Sequence, residues 1–260
     1  MRKPLLLLFA ALMASGAVAA DLSVRMAYAD VASPPYFWGN GSLIPEHPGA
    51  AVDLMREAAA ACHLKPQLSR WPNKRLFAML QADQIDISFM YSFHEDRMAL
   101  FAYPMSGTQP DRRYRITSLV YSLYVLRNSP VQFDGQQILN LNNGLIGANT
   151  GWSIVEDLRN RGQNVEEAPT TEINFRKLQA GRIAAYATQD NVADHYLNAS
   201  KLTTFVKLQP PLLRKDYFAV ISHGWLKQHP QESNCLWQQI ALLREQRLPA
   251  LLNAAELFSP

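Results

Sequence analysis

The chain carries one short passage twice. Leu80-Gln-Ala-Asp-Gln-Ile-Asp86 and Leu178-Gln-Ala-Gly-Arg-Ile-Ala184 each run from a helix-forming stretch into an apolar run. Two helix-to-strand passages of one kind, one in each half, constrain the fold to two lobes of like topology. A match this short is equally consistent with a coincidence between two ordinary helix ends. Length favours the first reading, because 260 residues exceed a usual single domain.

A hydrophobic share of 48% supplies buried cores for both lobes, and 18% charged residues with 12 Gly and 16 Pro exclude disorder and collagen-like repeats. The net charge is +3, of which Arg2 and Lys3 belong to a segment expected to be removed. A nearly neutral mature chain gives no case for nucleic acid or an anionic membrane as partner.

That first segment, residues 1–20, reads as a secretory signal. Arg2 and Lys3 precede the apolar run Leu5 to Met13, and Ala17-Val18-Ala19-Ala20 places small residues where a signal peptidase cuts. The mature chain is expected to begin at Ala20 or Asp21 and to be soluble and exported. No Cys stands near that site to carry a lipid, and no later apolar run is long enough to span a bilayer.

Cys62 and Cys235 are the two cysteines, in a compartment where thiols oxidise. Either they form one disulfide or they are two buried apolar side chains on separate helices. Neither has a Cys or His at metal-ligand spacing, so no metal is expected. Phosphate-binding Gly loops, dinucleotide fingerprints and G-x-S-x-G elbows do not occur, and no cofactor is expected.

The alternation in Leu22 to Tyr28 predicts a strand, followed by the loop Ser33-Pro-Pro-Tyr-Phe-Trp38. Helix formers fill Ala50 to Leu64, with Pro66 as the stop; a second helix is expected over Pro72 to Ala82 and a strand over Ile85 to Tyr91. The order β, α, α, β with further alternation behind it indicates an α/β fold around a largely parallel sheet.

A second echo follows the first. Ser92-Phe-His-Glu95 succeeds one strand and Ser153-Ile-Val-Glu156 succeeds another, Gly144 to Asn149; both have the spacing of a capping box, which opens a helix at a strand end. Such strand ends are where α/β sheets bind anions, although most capping boxes only cap. Arg97, five residues after Ser92, falls in the second turn of the expected helix. It either turns its fork toward a carboxylate at that strand end or pairs with Glu95, Asp96 or another surface acid.

Taken in order, several stretches resemble the periplasmic solute-binding proteins of polar amino-acid ABC transporters, family 3, with the type II periplasmic binding fold. Pro34-Pro35-Tyr36 resembles the aromatic loop after the first strand, Gly49-Ala-Ala-Val-Asp-Leu54 a G-F-x-V-D-L helix start, and Trp71-Pro-Asn-Lys-Arg75 a W-x-R helix start. Leu80 to Asp86 resembles L-x-x-G-x-x-D, Ser92 to Arg97 the S/T-x-T-x-x-R carboxylate motif, and Gly181-Arg-Ile-Ala-Ala185 the G-R-x-D-A of the second lobe.

The resemblance implies two α/β lobes joined by two crossing strands, near Thr117 to Tyr124 and Leu208 to Leu213, with a ligand cleft between them. Lobe 1 comprises residues 21–118 and the return segment 212–260, and lobe 2 residues 119–211. It implies hinge closure on a small carboxylate-bearing ligand, an amino acid or related organic acid, by a monomer that is not an enzyme and serves an inner-membrane permease. Rival readings are a sensory protein for a membrane kinase or cyclase, and a dehydratase on the same scaffold.

The ligand-binding residues carried over are Arg97 and Ser92, then Tyr36, Trp71, Trp152, Ser153 and Asp190. Departures from the family pattern bear on the ligand. Gly151-Trp152-Ser153 has an indole where the family places Thr, and the position expected to receive a ligand ammonium is Gln189, with Asp190 one residue along. Phe101-Ala-Tyr-Pro-Met105 and the basic stretch Asp111-Arg-Arg-Tyr-Arg115 also differ from the family.

Overall fold

The computed structural model describes residues 21–257; the expected export signal, residues 1–20, lies outside them. The chain begins β1 (Leu22–Ala29), α1 (Ala50–Ala61), β2 (Leu64–Trp71), α2 (Asn73–Gln81), β3 (Ile87–Ser92), then a 3-10 turn over Glu95–Ala99 and the hairpin β4 (Met105–Ser106) and β5 (Gln109–Pro110). β6 (Thr117–Leu126) crosses to the second lobe, which holds a small hairpin, β7 (Gln132–Phe133) and β8 (Ile138–Leu139), before β9 (Ile146–Asn149) and α3 (Ile154–Asn160). There follow β10 (Val165–Ala168), α4 (Thr171–Gln179), β11 (Ala185–Gln189), α5 (Asp190–Ala199) and β12 (Phe205–Lys207). β13 (Leu213–Ile221) returns to the first lobe, closed by α6 (His223–Gln228), α7 (Pro230–Gln246) and α8 (Leu248–Leu257).

One sheet of nine strands runs through both lobes in the order β10-β9-β11-β6-β13-β3-β1-β2, with β12 on β6. Pairing is parallel among β1, β2 and β3 and among β9, β10 and β11, and antiparallel where β6 meets β13. β6 and β13 are the two crossing strands of a two-lobed type II periplasmic binding fold. β13 pairs Leu213–Tyr217 with β6 and Tyr217–Ile221 with β3, so one strand belongs to both lobes.

The second crossing starts later than Leu208 to Leu213. Pro210 and Pro211 have no N–H to give a ladder, and the Leu208 and Leu212 amides bond singly to Leu123 and Tyr121 carbonyls before regular pairing begins. The first helix also differs from expectation. It stops at Ala61, the chain turns through His63 at φ 54°, and Leu64–Trp71 forms β2. Pro66 does not end a helix; it sits on the edge strand of the sheet, where a missing N–H costs no ladder bond.

α1 buries Val52, Leu54, Met55 and Ala58 against the sheet and α7, each large aliphatic side chain contributing on the order of 2 kcal/mol. Gly49 opens it at φ 115°, and a Cβ there meets the Tyr36 carbonyl at 2.5 Å, so the helix start needs glycine. The disulfide alternative holds for the cysteines: Cys62 after α1 bonds Cys235 in α7, 173 residues apart.

Candidate functional site

The two echoed passages deliver their strands to one place. β3 follows α2 and ends at Ser92; β11 follows α4 and ends at Gln189; both final residues are buried and line a cavity between the lobes. The cavity measures about 50 Å³, several times the roughly 10–15 Å³ that one water needs.

Its floor is the end of β3. Phe218 pairs with Tyr91 and Ala219 with Phe89, which leaves Met90 as an extra residue at φ 65°. The bulge breaks the strict alternation of a strand, so Phe89, Met90, Tyr91 and Ser92 all face the cavity. Ser33 and Phe37 come from the loop after β1, which the buried Arg70 guanidinium holds through the carbonyls of Ala29, Gly39 and Leu43.

Arg97 reaches this strand end from the 3-10 turn. It donates to the Ser92 carbonyl at 3.3 Å and, more weakly, to the Gly151 carbonyl at 3.5 Å across the lobes, and lies over the Phe77 ring at 5.0 Å. Among the described residues it makes no ion pair with an acid, neither Glu95 nor Asp96.

The capping-box reading fails at both serines. His94 is extended and only a 3-10 turn follows, so no helix starts within reach of the Ser92 hydroxyl; Ser153 stands at the start of α3 without capping it. The two hydroxyls instead meet each other across the lobes at 2.7 Å, and Lys215 on β13 donates to Ser153 at 2.9 Å. Burial pulls the Lys215 ammonium below its ordinary range, opposed by its ion pair with Asp157.

Opposite lies a second polar group. Gln189 Nε2 donates to the hydroxyls of Tyr217 at 2.7 Å and Tyr121 at 3.2 Å, and those hydroxyls are 2.7 Å apart. Gln189 Oε1 accepts from Ser33 at 3.2 Å. Burial raises both tyrosines above the ordinary phenol range, so they stay neutral. Tyr91, likewise pushed up to about 12 by burial, donates to Asn73.

Of the expected site residues, Arg97, Ser92, Trp152 and Ser153 are together in the cavity lining, with Trp152 edge-on to Tyr121. Tyr36, Trp71 and Asp190 stand elsewhere. The Tyr36 hydroxyl bonds Thr117 and its ring is buried in the core; Trp71 lies under Arg75 at 4.1 Å; Asp190 opens α5 and pairs with Lys207 at 3.3 Å. A one-residue step separates Asp190 from Gln189, and only Gln189, the last strand residue, faces inward. Gln189 stands where the family pattern puts the ammonium partner; the residues not foreseen are Tyr121, Tyr217, Asn73 and the Met90 bulge. Tyr121 and Tyr217 sit on the two crossing strands and meet only through their antiparallel pairing.

No family model matches the chain, and no curated protein matches it either. Solved structures do. The GluR0 ligand-binding core from Nostoc punctiforme, in complex with L-glutamate, has a TM-score of 0.70 at 16% identity over 91% of this chain and 100% of its own. A histidine kinase sensor domain with similarity to periplasmic binding proteins has a TM-score of 0.69 at 17% identity over 91% and 96%. The arginine-, lysine-, histidine-binding protein ArtJ from Geobacillus stearothermophilus has a TM-score of 0.69 at 16% identity over 91% and 96%. At such identities the likeness establishes the fold.

Proposed function

We propose that this protein is an exported, non-catalytic receptor that closes its two lobes on a small carboxylate-bearing molecule. One observation carries the reading: the Arg97 guanidinium lines the interlobe cavity without an acidic partner among the described residues. A partly buried cation without a carboxylate invites one from a ligand, and the planar fork suits it. The Ser92–Ser153 contact lies beside it, so lobe closure and anion binding share one location.

Binding is favoured over catalysis: among the described residues the cavity lining holds no Asp, Glu, His or Cys, and the ammonium beside it, Lys215, is engaged by Asp157 and Ser153. The structural neighbours named above are binding and sensor domains, which agrees with that choice. The closed form would be presented to an inner-membrane permease in the periplasm. A sensory role is the second reading, favoured by the likeness to a histidine kinase sensor domain.

Titration calorimetry of the purified protein against a panel of carboxylates, with amines and neutral sugars as controls, tests the proposal. Carboxylates alone should bind, and Arg97→Ala should lose at least a hundredfold in affinity with an unchanged circular dichroism spectrum. Undiminished carboxylate binding by a folded Arg97→Ala protein would remove the assignment.

A further inference from the structure

The hydroxyl groups of the cavity lining can be followed by what their own partners leave over. A hydroxyl has one proton and two lone pairs. Between Tyr121 and Tyr217 one hydroxyl must donate to the other, and Gln189 Nε2 donates to both. The accepting tyrosine therefore has both lone pairs filled and keeps one O–H with no protein acceptor. Ser92 and Ser153 also leave one O–H over, since one donates to the other and Lys215 fills a lone pair of Ser153, and they keep two open lone pairs as well.

The cavity thus presents the Arg97 guanidinium, a serine O–H and a tyrosine O–H. No carboxylate stands among the lining residues to receive a cation. The nearby acids are engaged: Asp157 with Lys215, and Glu167 with Arg159 and the Gly151 amide. Asp30, between the lining residues Ala29 and Val31, does not itself line the cavity. The tyrosines are held neutral by burial and supply no negative charge.

We infer that the cleft takes a small monocarboxylate whose second functional group is an oxygen acceptor, a 2-oxo or 2-hydroxy acid, in preference to the α-amino acid of the same skeleton. This rests on the proposal that Arg97 holds a carboxylate. An α-ammonium entering the cavity loses its water shell and finds only neutral hydroxyl and carbonyl oxygens in the lining, whereas a keto or hydroxy oxygen can accept from the free O–H groups.

Calorimetry with matched pairs tests it: pyruvate and lactate against alanine, and 2-oxobutyrate against 2-aminobutyrate, each with the wild type and with Gln189→Glu. The wild type should bind the oxygen acids at least tenfold more tightly than the amino acids. Gln189→Glu, which puts a carboxylate at the tyrosine end, should narrow or reverse that ratio. Equal or tighter binding of the amino acids by the wild type would overturn the inference and leave the carboxylate site standing. An unchanged ratio in a folded Gln189→Glu protein would overturn the role given to this end of the cavity. No binding of either class, with carboxylates outside these pairs also failing, would overturn the carboxylate site itself.

Discussion

Ser92 Oγ, at the end of β3, and Ser153 Oγ, at the start of α3, lie 2.7 Å apart although 61 residues separate them in the chain. Each belongs to a different lobe, so the bond exists only while the lobes are together. Ser153→Ala therefore acts on closure. In an open conformation the Ser92 hydroxyl is served by water; in the closed one it is buried and loses its partner, at a cost of about 1–3 kcal/mol. Ligand affinity should fall by roughly 5- to 150-fold, mostly through faster release, while the melting temperature stays within a few degrees. Stopped-flow release rates and calorimetry check this. Unaltered release would show that the serine pair does not hold the lobes together.

The helix-to-strand echo was the most legible part of the site. It placed α2 before β3 and α4 before β11, and those strands end at Ser92 and Gln189. The rest depends on events that local sequence does not encode. Ser-x-x-Glu caps a helix only if a helix follows, and after Ser92 the extended His94 and the 3-10 turn behind it prevent that. Tyr121 and Tyr217 look like ordinary strand aromatics, and their meeting is fixed by a register set 96 residues apart. Pro66 misled because a proline permitted on a sheet edge looks like a helix stop until the edge is known. Asp190 misled by one position, which along a strand end is the difference between facing in and facing out.

The Cys62–Cys235 bond joins α1 to α7 across 173 residues, and both helices belong to the body that supports β1 and β3. Closing so long a loop restricts the unfolded chain, which places its contribution toward the upper part of the usual range, about 2–5 kcal/mol. For a chain of this size each kcal/mol moves the melting temperature by roughly 2–4 °C. Cys62→Ala with Cys235→Ala should thus melt roughly 4–20 °C below the wild type under non-reducing conditions. The wild type should fall by a similar amount when fully reduced. Coincident melts of the double variant and the oxidised wild type would exclude a stabilising role.

Tyr91 gives the cavity floor an alkaline limit. Burial pushes its hydroxyl up to about 12 from 10, because a phenolate there is poorly solvated. The sign follows from proton counts. Below pH 10 both folded and unfolded chains carry the proton and the stability contribution is fully present. Between pH 10 and about 12 the unfolded chain releases it and the folded chain keeps it, so stability falls by about 1.4 kcal/mol per pH unit for this group. Tyr103 and Tyr217 are raised by burial as well and steepen the same limb. Tyr91→Phe removes one titrating group along with its bond to Asn73. Its stability at pH 9 should be lower by about 1 kcal/mol, but its decline from pH 10 to 11 should be shallower by about one proton. Urea unfolding of both proteins at pH 9, 10 and 11 measures the two slopes. Parallel declines would mean that the Tyr91 phenol ionises as readily in the folded chain as in the unfolded one, and that the cavity floor is open to water.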